Sequence, residues 1–185
     1  DLDSWHDALD ITWSAWDQGR LDDIKAIIVE DDITVTHRDY RGVFAVTVIV
    51  EEDVTINMEG DTEGLFFIGE GASLVNHGTI NARVQIDNNL NEFSLINYGT
   101  IKEWCSYNRT PTVSTILNLG NTSLNDDQVM NILLYNYGRI DSTAQWTDIV
   151  CEVRNNGDFI VSKFDEEEHR FTIASGNHFW NYGTF

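Results

Sequence analysis

Proline occurs once in this chain of 185 residues, at Pro111, and cysteine twice, at Cys105 and Cys151. One proline and an ordinary hydrophobic content argue against a disordered chain. Two cysteines without CxxC spacing are too few for a disulfide framework. Lysine is almost missing, with only Lys25, Lys102 and Lys163, and 11 basic residues stand against 31 acidic ones for a net charge of −20. A surface of that sign repels nucleic acid and anionic membranes, so neither is expected as a partner. No apolar run approaches the ~18 residues of a transmembrane helix, so no membrane span is expected. Phosphate loops, GxGxxG, HExxH, GxSxG, EF-hand loops and the calcium-binding nonapeptide are also lacking. His6, His37, His77, His169 and His178 are scattered, and none pairs at ligand spacing with another histidine or a cysteine. No metal and no other cofactor is expected on that count.

What the chain does have is a recurring phrase. Asn76-His77-Gly78-Thr79-Ile80 returns as Asn97-Tyr98-Gly99-Thr100-Ile101, and with drift at Asn118-Leu119-Gly120, Asn136-Tyr137-Gly138, Asn155-Asn156-Gly157 and Asn181-Tyr182-Gly183. The glycines are spaced by 21, 21, 18, 19 and 26 residues. A period near twenty with loose length marks a repeat architecture. Four residues before each glycine stand Leu74, Leu95, Ile116, Leu134, Val153 and Phe179, and Ile56 holds that place before Gly60. Residues two apart on a strand share a face, so this apolar column and the asparagines two residues after it should both point inward. The asparagine ends the strand, and the glycine is expected to supply a positive φ at the corner.

If each repeat is one coil, strands stack about 4.8 Å apart and like residues fall over like residues. Asn76, Asn97, Asn118, Asn136, Asn155 and Asn181 then form a ladder of carboxamides bonded from coil to coil, as in other stacked-strand structures. The competing reading is a set of unrelated Asn-x-Gly turns in a β-sandwich, which the shared spacing and the aligned apolar column disfavour. The fold class expected is an all-β parallel β-solenoid of about seven coils, at 43–60, 61–78, 79–99, 100–120, 121–138, 139–157 and 158–183. Cys105 and Cys151 would lie two coils apart, about 9–10 Å along the axis, which is too far for a disulfide and predicts free thiols.

Residues 3–18 read as an amphipathic helix. Trp5, Leu9, Trp13 and Trp16 make one apolar stripe, Asp3 or Ser4 is the N-cap and Gly19 the stop. It is expected to cap the solenoid, because an open end exposes core and unpaired backbone. A membrane-surface helix would need basic residues on its polar face, which carries Asp7, Asp10 and Asp17 instead. The domain reading is therefore a capping helix at 1–20 and a β-solenoid at 21–185. First strands are expected at Ile24–Val29 and Ile33–Thr36, and further ones at Ala45–Val50 and Leu65–Ile68. The chain stops at Thr184-Phe185, two residues into the next repeat, and a segment of a longer protein is the expectation.

An N-terminal helix, a strand, the Ile33-Thr34-Val35-Thr36 segment and coils of the L-x-N-x-G-T-I type resemble the bacterial cell-surface β-helix proteins. That group includes pectin-lyase-like repeats and haemagglutinin- or autotransporter-passenger-like domains. The resemblance implies a right-handed β-helix, an extracellular or cell-surface location and a non-catalytic role in adhesion, display or protein–protein interaction. It carries over no catalytic residue. Carbohydrate-active β-helices are the alternative, and inverting hydrolysis needs two carboxylates about 6.5–9.5 Å apart. Asp126, Asp127, Asp141, Asp148 and Asp158 lie in consecutive coils, but they read first as a solvated acidic face. Ice binding needs flat threonine arrays, and Arg139 and Asp158 break the column Thr79, Thr100, Asn121, Arg139, Asp158, Thr184.

The candidate binding residues come from the outward columns. One residue before each glycine stand His77, Tyr98, Leu119, Tyr137, Asn156 and Tyr182, and three before it stand Val75, Ile96, Leu117, Tyr135, Arg154 and Trp180. They should form an apolar stripe on a strongly acidic protein, and such patches mark interfaces or grooves. His77, Tyr98, Leu119, Tyr137, Tyr182, Tyr135 and Trp180 are the residues expected to meet a protein partner or a second subunit, with glycan binding as the second choice.

Overall fold

The computed structural model describes residues 25–35, 42–44, 46–58, 65–67, 72–86, 93–106, 115–124, 128–130, 133–142, 146–149, 152–161, 170–173 and 178–185. The helix expected at 3–18, Cys151 and the acidic stretch 164–169 lie outside them. The described residues form an all-β solenoid built of parallel strands.

Its first sheet has eight strands, in the order Ala26–Val29, Thr47–Val50, Ser73–Asn76, Ser94–Asn97, Thr115–Asn118, Leu133–Asn136, Val153–Asn155 and Phe179–Asn181. The asparagines stand in strict register, Asn76 beside Asn97, Asn97 beside Asn118, and on to Asn181. The second sheet has nine strands, among them Ile33–Val35, Thr55–Met58, Thr79–Ile86, Thr100–Ser106, Asn121–Leu124, Arg139–Ser142 and Asp158–Val161. Gly42–Phe44 and Leu65–Phe67 add to it along the far half of Thr79–Ile86. A third sheet holds Gln128–Met130, Trp146–Ile149 and Arg170–Ile173.

The core follows from period-two alternation. Val48, Leu74, Leu95, Ile116, Leu134 and Val153 from the first sheet are at most 1% exposed, and so are Ile56, Ile80, Ile101, Ile140 and Phe159 from the second. Each rung thus adds buried aliphatic side chains worth on the order of 2 kcal/mol apiece.

Two features of the corners differ from the sequence expectation. The first is the glycine. None of Gly78, Gly99, Gly120, Gly138, Gly157 and Gly183 takes a left-handed φ. Glycine is needed because the stacked backbones come too close for a side chain. A Cβ on Gly99 would overlap the Gly78 carbonyl oxygen, and one on Gly120 the Gly99 oxygen, with Tyr98 O also too close at 2.7 Å. That packing follows from a doubled hydrogen bond: both Tyr98 N–H and Gly99 N–H donate to Asn76 O, and Leu119 and Gly120 do the same to Asn97 O.

The second difference is the register of the earliest repeat. Ile56 and Met58 do not belong to the column of Leu74 and Asn76. Ile56 lies beside Ile80, in the second sheet. The true neighbours of Leu74 and Asn76 are Val48 and Val50, and those of Val48 and Val50 are Ile27 and Val29. In this coil the corner is longer, running through Glu51-Glu52-Asp53-Val54, and Asp53 takes the positive φ of 65°. This corner carries neither asparagine nor glycine, so the repeat phrase has no counterpart in it.

The asparagine column begins one rung later than the sheet does. Asn76 Oδ1 is buried and without a hydrogen-bond partner among the described residues, because its neighbour on the N-terminal side is Val50. This yields a test. Val48 and Val50 are both fully buried. Val48→Asn should destabilise by about 3 kcal/mol, the cost of a buried amide without partners. Val50→Asn should cost no more than ~1 kcal/mol, since its amide can donate to Asn76 Oδ1. Denaturant unfolding of both variants decides it, and equal losses would mean that the acceptor at Asn76 cannot be reached.

Candidate functional site: the outer face of the eight-stranded sheet

The inward half of the first sheet is the ladder. Asn76 Nδ2 donates to Asn97 Oδ1 at 2.8 Å, Asn97 to Asn118 at 2.9 Å, Asn118 to Asn136 at 2.8 Å, and Asn136 to Asn155 and Asn155 to Asn181 at 2.7 Å each. Each of these amides also donates to a backbone carbonyl of the next coil, Thr100 O, Asn121 O, Arg139 O, Asp158 O and Thr184 O in turn. Asn76 through Asn155 are wholly buried, whereas Asn181 at the last rung is exposed. These residues hold the corner in place, which in turn sets the side chain between asparagine and glycine pointing out.

That outward residue is His77, Tyr98, Leu119, Tyr137, Asn156 or Tyr182. Tyr98 is 50% exposed, Leu119 42%, Tyr137 55% and Tyr182 72%. The His77 and Tyr98 rings lie parallel, 4.7 Å apart and 3° from coplanar orientation. Since neighbouring coils are separated by about the same distance, the ring normals run along the solenoid axis and the rings turn their edges to solvent.

Beside this row runs a half-buried one on the strands themselves: Ile49, Val75, Ile96, Leu117 and Tyr135, followed by Arg154 and Trp180. Arg154 sits between two rings, its Cζ 5.7 Å from the Tyr135 centroid and 5.3 Å from that of Trp180. Such contacts are worth about 0.5–1 kcal/mol at an exposed site. Glu152 approaches the same guanidinium at 3.9 Å, and His178 stacks on Trp180 at 4.9 Å. A third row carries hydroxyls: Thr47, Ser73, Ser94 and Thr115 are in register, and Thr47 and Ser73 share a hydrogen bond of 2.8 Å.

The seven stripe residues named from sequence therefore fall on one face, Tyr135 and Trp180 in the middle row and the other five along the corner. Sequence reasoning missed the extension of the aliphatic row to Ile49 and to Ile28, which is 52% exposed. The alternation Thr47-Val48-Ile49-Val50 carried that signal, hidden by the slipped register. It also missed the hydroxyl row. No outward side chain of these eight strands is acidic, although the chain has 31 acidic residues.

The second sheet's outer face is different in kind. The column Thr79, Thr100, Asn121, Arg139, Asp158 is in register, and Thr184 bridges to Asp158. Arg139 donates to both carboxylate oxygens of Asp141 at 2.9–3.1 Å, which raises its pKa from the ordinary value, chiefly through that hydrogen bond and then through the Asp141 charge. Among the described residues no three His, Cys, Asp or Glu side chains converge as metal ligands would. None of their helices is long and apolar enough to cross a membrane. No known family, curated protein or solved structure matches the chain.

Proposed function

We propose that this chain is a non-catalytic extracellular surface module for adhesion, display or protein contact, and that it makes its contacts through the outer face of the eight-stranded sheet. One observation carries the reading: exposed Tyr98, Leu119, Tyr137 and Tyr182 join an aliphatic row into an apolar face whose strands carry no outward acidic side chain, on a protein of charge −20. Contiguous apolar surface of that kind on a soluble chain marks an interaction site. The resemblance to bacterial cell-surface β-helices favours the same location and role. In this reading the coil is right-handed, as nearly all crossovers between parallel strands of one sheet are. It has about seven coils, and the segment 1–20 forms the helix that closes its first end.

A carbohydrate-active enzyme is the rival. It would need a pair of carboxylates at liberty to act as acid and base. Asp141, on the acidic face, is already engaged by Arg139, which favours the binding reading. The test replaces Tyr98 and Tyr137 with serine and follows oligomeric mass and adherence to cell-surface preparations. Loss of either, with thermal stability within ~1 kcal/mol of the parent as the stacking contacts alone would allow, is the expected outcome. If both readouts are unchanged, the face serves only to stabilise its sheet.

A further inference from the structure

The contact face has a period of its own. Tyr98, Tyr137 and Tyr182 occupy alternate rungs, with Leu119 and Asn156 between them. Rungs about 4.8 Å apart place successive tyrosines about 9–10 Å apart along the axis. With ring faces turned along the axis, as at the His77–Tyr98 stack, such tyrosines offer their hydroxyls and edges outward. Next to them lies the aliphatic floor of Val75, Ile96 and Leu117. On the far side stand the hydroxyls of Ser73, Ser94 and Thr115. Further along, the floor continues through Tyr135, Arg154 and Trp180 and the far side through Leu133, Glu152 and His178, so the face is a straight corridor with a tyrosine edge, a largely C–H floor and a far edge that is polar except at Leu133.

Its size and charge select the occupant. Eight strands at about 4.8 Å and three outward positions across give a corridor about 34 Å long and about 13 Å wide. Two copies meeting face to face would bury less than ~1,000 Å² in all, under the ~1,200 Å² of a small stable interface. A slender linear ligand uses such a strip fully, whereas a second copy does not. A charge of −20 repels polyanions, which removes uronate and sulfated chains.

We propose that this corridor binds an uncharged β-1,4-linked polysaccharide lying along the solenoid axis, one disaccharide to every two rungs. Such a chain is a flat ribbon whose C–H faces would lie on the aliphatic floor. Its equatorial hydroxyls project from both edges, towards the tyrosines on one side and Ser94, Thr115, Glu152 and His178 on the other. Its pattern repeats every second sugar, over nearly the same length as two rungs, so each tyrosine hydroxyl meets the same sugar position. The assignment rests on the reading that this face is the contact surface.

The test is titration calorimetry with β-1,4-linked gluco-, xylo-, manno- and chito-oligosaccharides of two, four and six sugars, and polygalacturonate as the anionic control. Affinity for at least one neutral series should rise roughly tenfold from two sugars to four. It should level off by six, because Tyr98 to Tyr182 spans four rungs. Tyr137→Phe, which keeps the ring and the fold but removes the hydroxyl, should weaken the tetrasaccharide several-fold, and Tyr98→Phe likewise. Absence of binding by all four neutral series at millimolar concentration would overturn the proposal, as would equal affinity for polygalacturonate or indifference to both phenylalanine variants. If the serine variants change oligomeric mass or adherence while no glycan binds, the contact face stands and its occupant is a protein. If neither readout responds, both readings fall.

Discussion

Gly120→Ala will destabilise the protein by about 3 kcal/mol or more, far beyond the usual cost of alanine for glycine in a turn. The methyl group would be placed inside the contact distance of the Gly99 carbonyl oxygen, with Tyr98 O at 2.7 Å and Tyr98 C at 2.8 Å. Those atoms are backbone, and the Gly99 oxygen accepts from Asn121 N–H of the next coil, so no side chain can swing aside. Relief would require opening the coil spacing, which breaks the paired bonds from Leu119 N and Gly120 N to Asn97 O. Had the glycine served a left-handed φ, Gly120→Asn would be the milder replacement, since asparagine tolerates that region. In this corner Gly120→Asn should be at least as damaging as Gly120→Ala. Unfolding midpoints of the two variants separate the explanations, and a milder asparagine variant would refute close approach as the cause.

Asn118→Leu is expected to cost roughly 3 kcal/mol although leucine branches at the same carbon and is more apolar. Asn118 is fully buried and works in three directions. It accepts from Asn97 at 2.9 Å, donates to Asn136 at 2.8 Å, and donates to Gly120 O and Arg139 O at 3.2 Å. Leucine would strand the Asn136 Oδ1 acceptor inside the core, and each orphaned buried group costs about 1–3 kcal/mol. Asn97→Leu should fall in the same range. Asn181→Leu should be almost silent, because Asn181 is exposed and Asn155 Nδ2 keeps the carbonyl oxygens of Gly157 and Thr184 as acceptors. A flat profile from Asn97 through Asn118 to Asn181 would mean that the ladder bonds contribute no more than solvent does.

The repeat phrase made most of this legible. From Leu74 onward, the apolar residue four before each glycine and the asparagine two before it carry both the inward face and the register, because a stacked architecture puts equal residues into equal environments. The stripe of His77, Tyr98, Leu119, Tyr137 and Tyr182 followed by simple alternation. What could not be read were features set by the neighbouring coil. The reason for glycine lies in a carbonyl 21 residues earlier in the chain, at Gly99 for Gly120, and no local turn propensity reports it. The misplacement of Ile56 arose where the corner carries Asp53 instead of glycine, so that the phrase had nothing to align on. The sandwiching of Arg154 between Tyr135 and Trp180 depends on rungs before and after it, and sequence showed it only as an interruption of an aromatic row.

The carboxamide column has an electrical direction. Every amide in it sends its nitrogen towards the C-terminal side and its oxygen towards the N-terminal side, from Asn76 to Asn181. Dipoles aligned in this way add along the axis, as the peptide dipoles of a helix do, and each bond polarises the next. The oxygen end is buried beside Val50 in a dry setting, where the field is least screened. The nitrogen end comes out at Asn181 as a small positive pole on a strongly negative molecule. A strand that adds to that rung therefore meets an acceptor-seeking surface. A carboxylate or amide oxygen is welcomed in line with the column, and a donor in the same place is turned away.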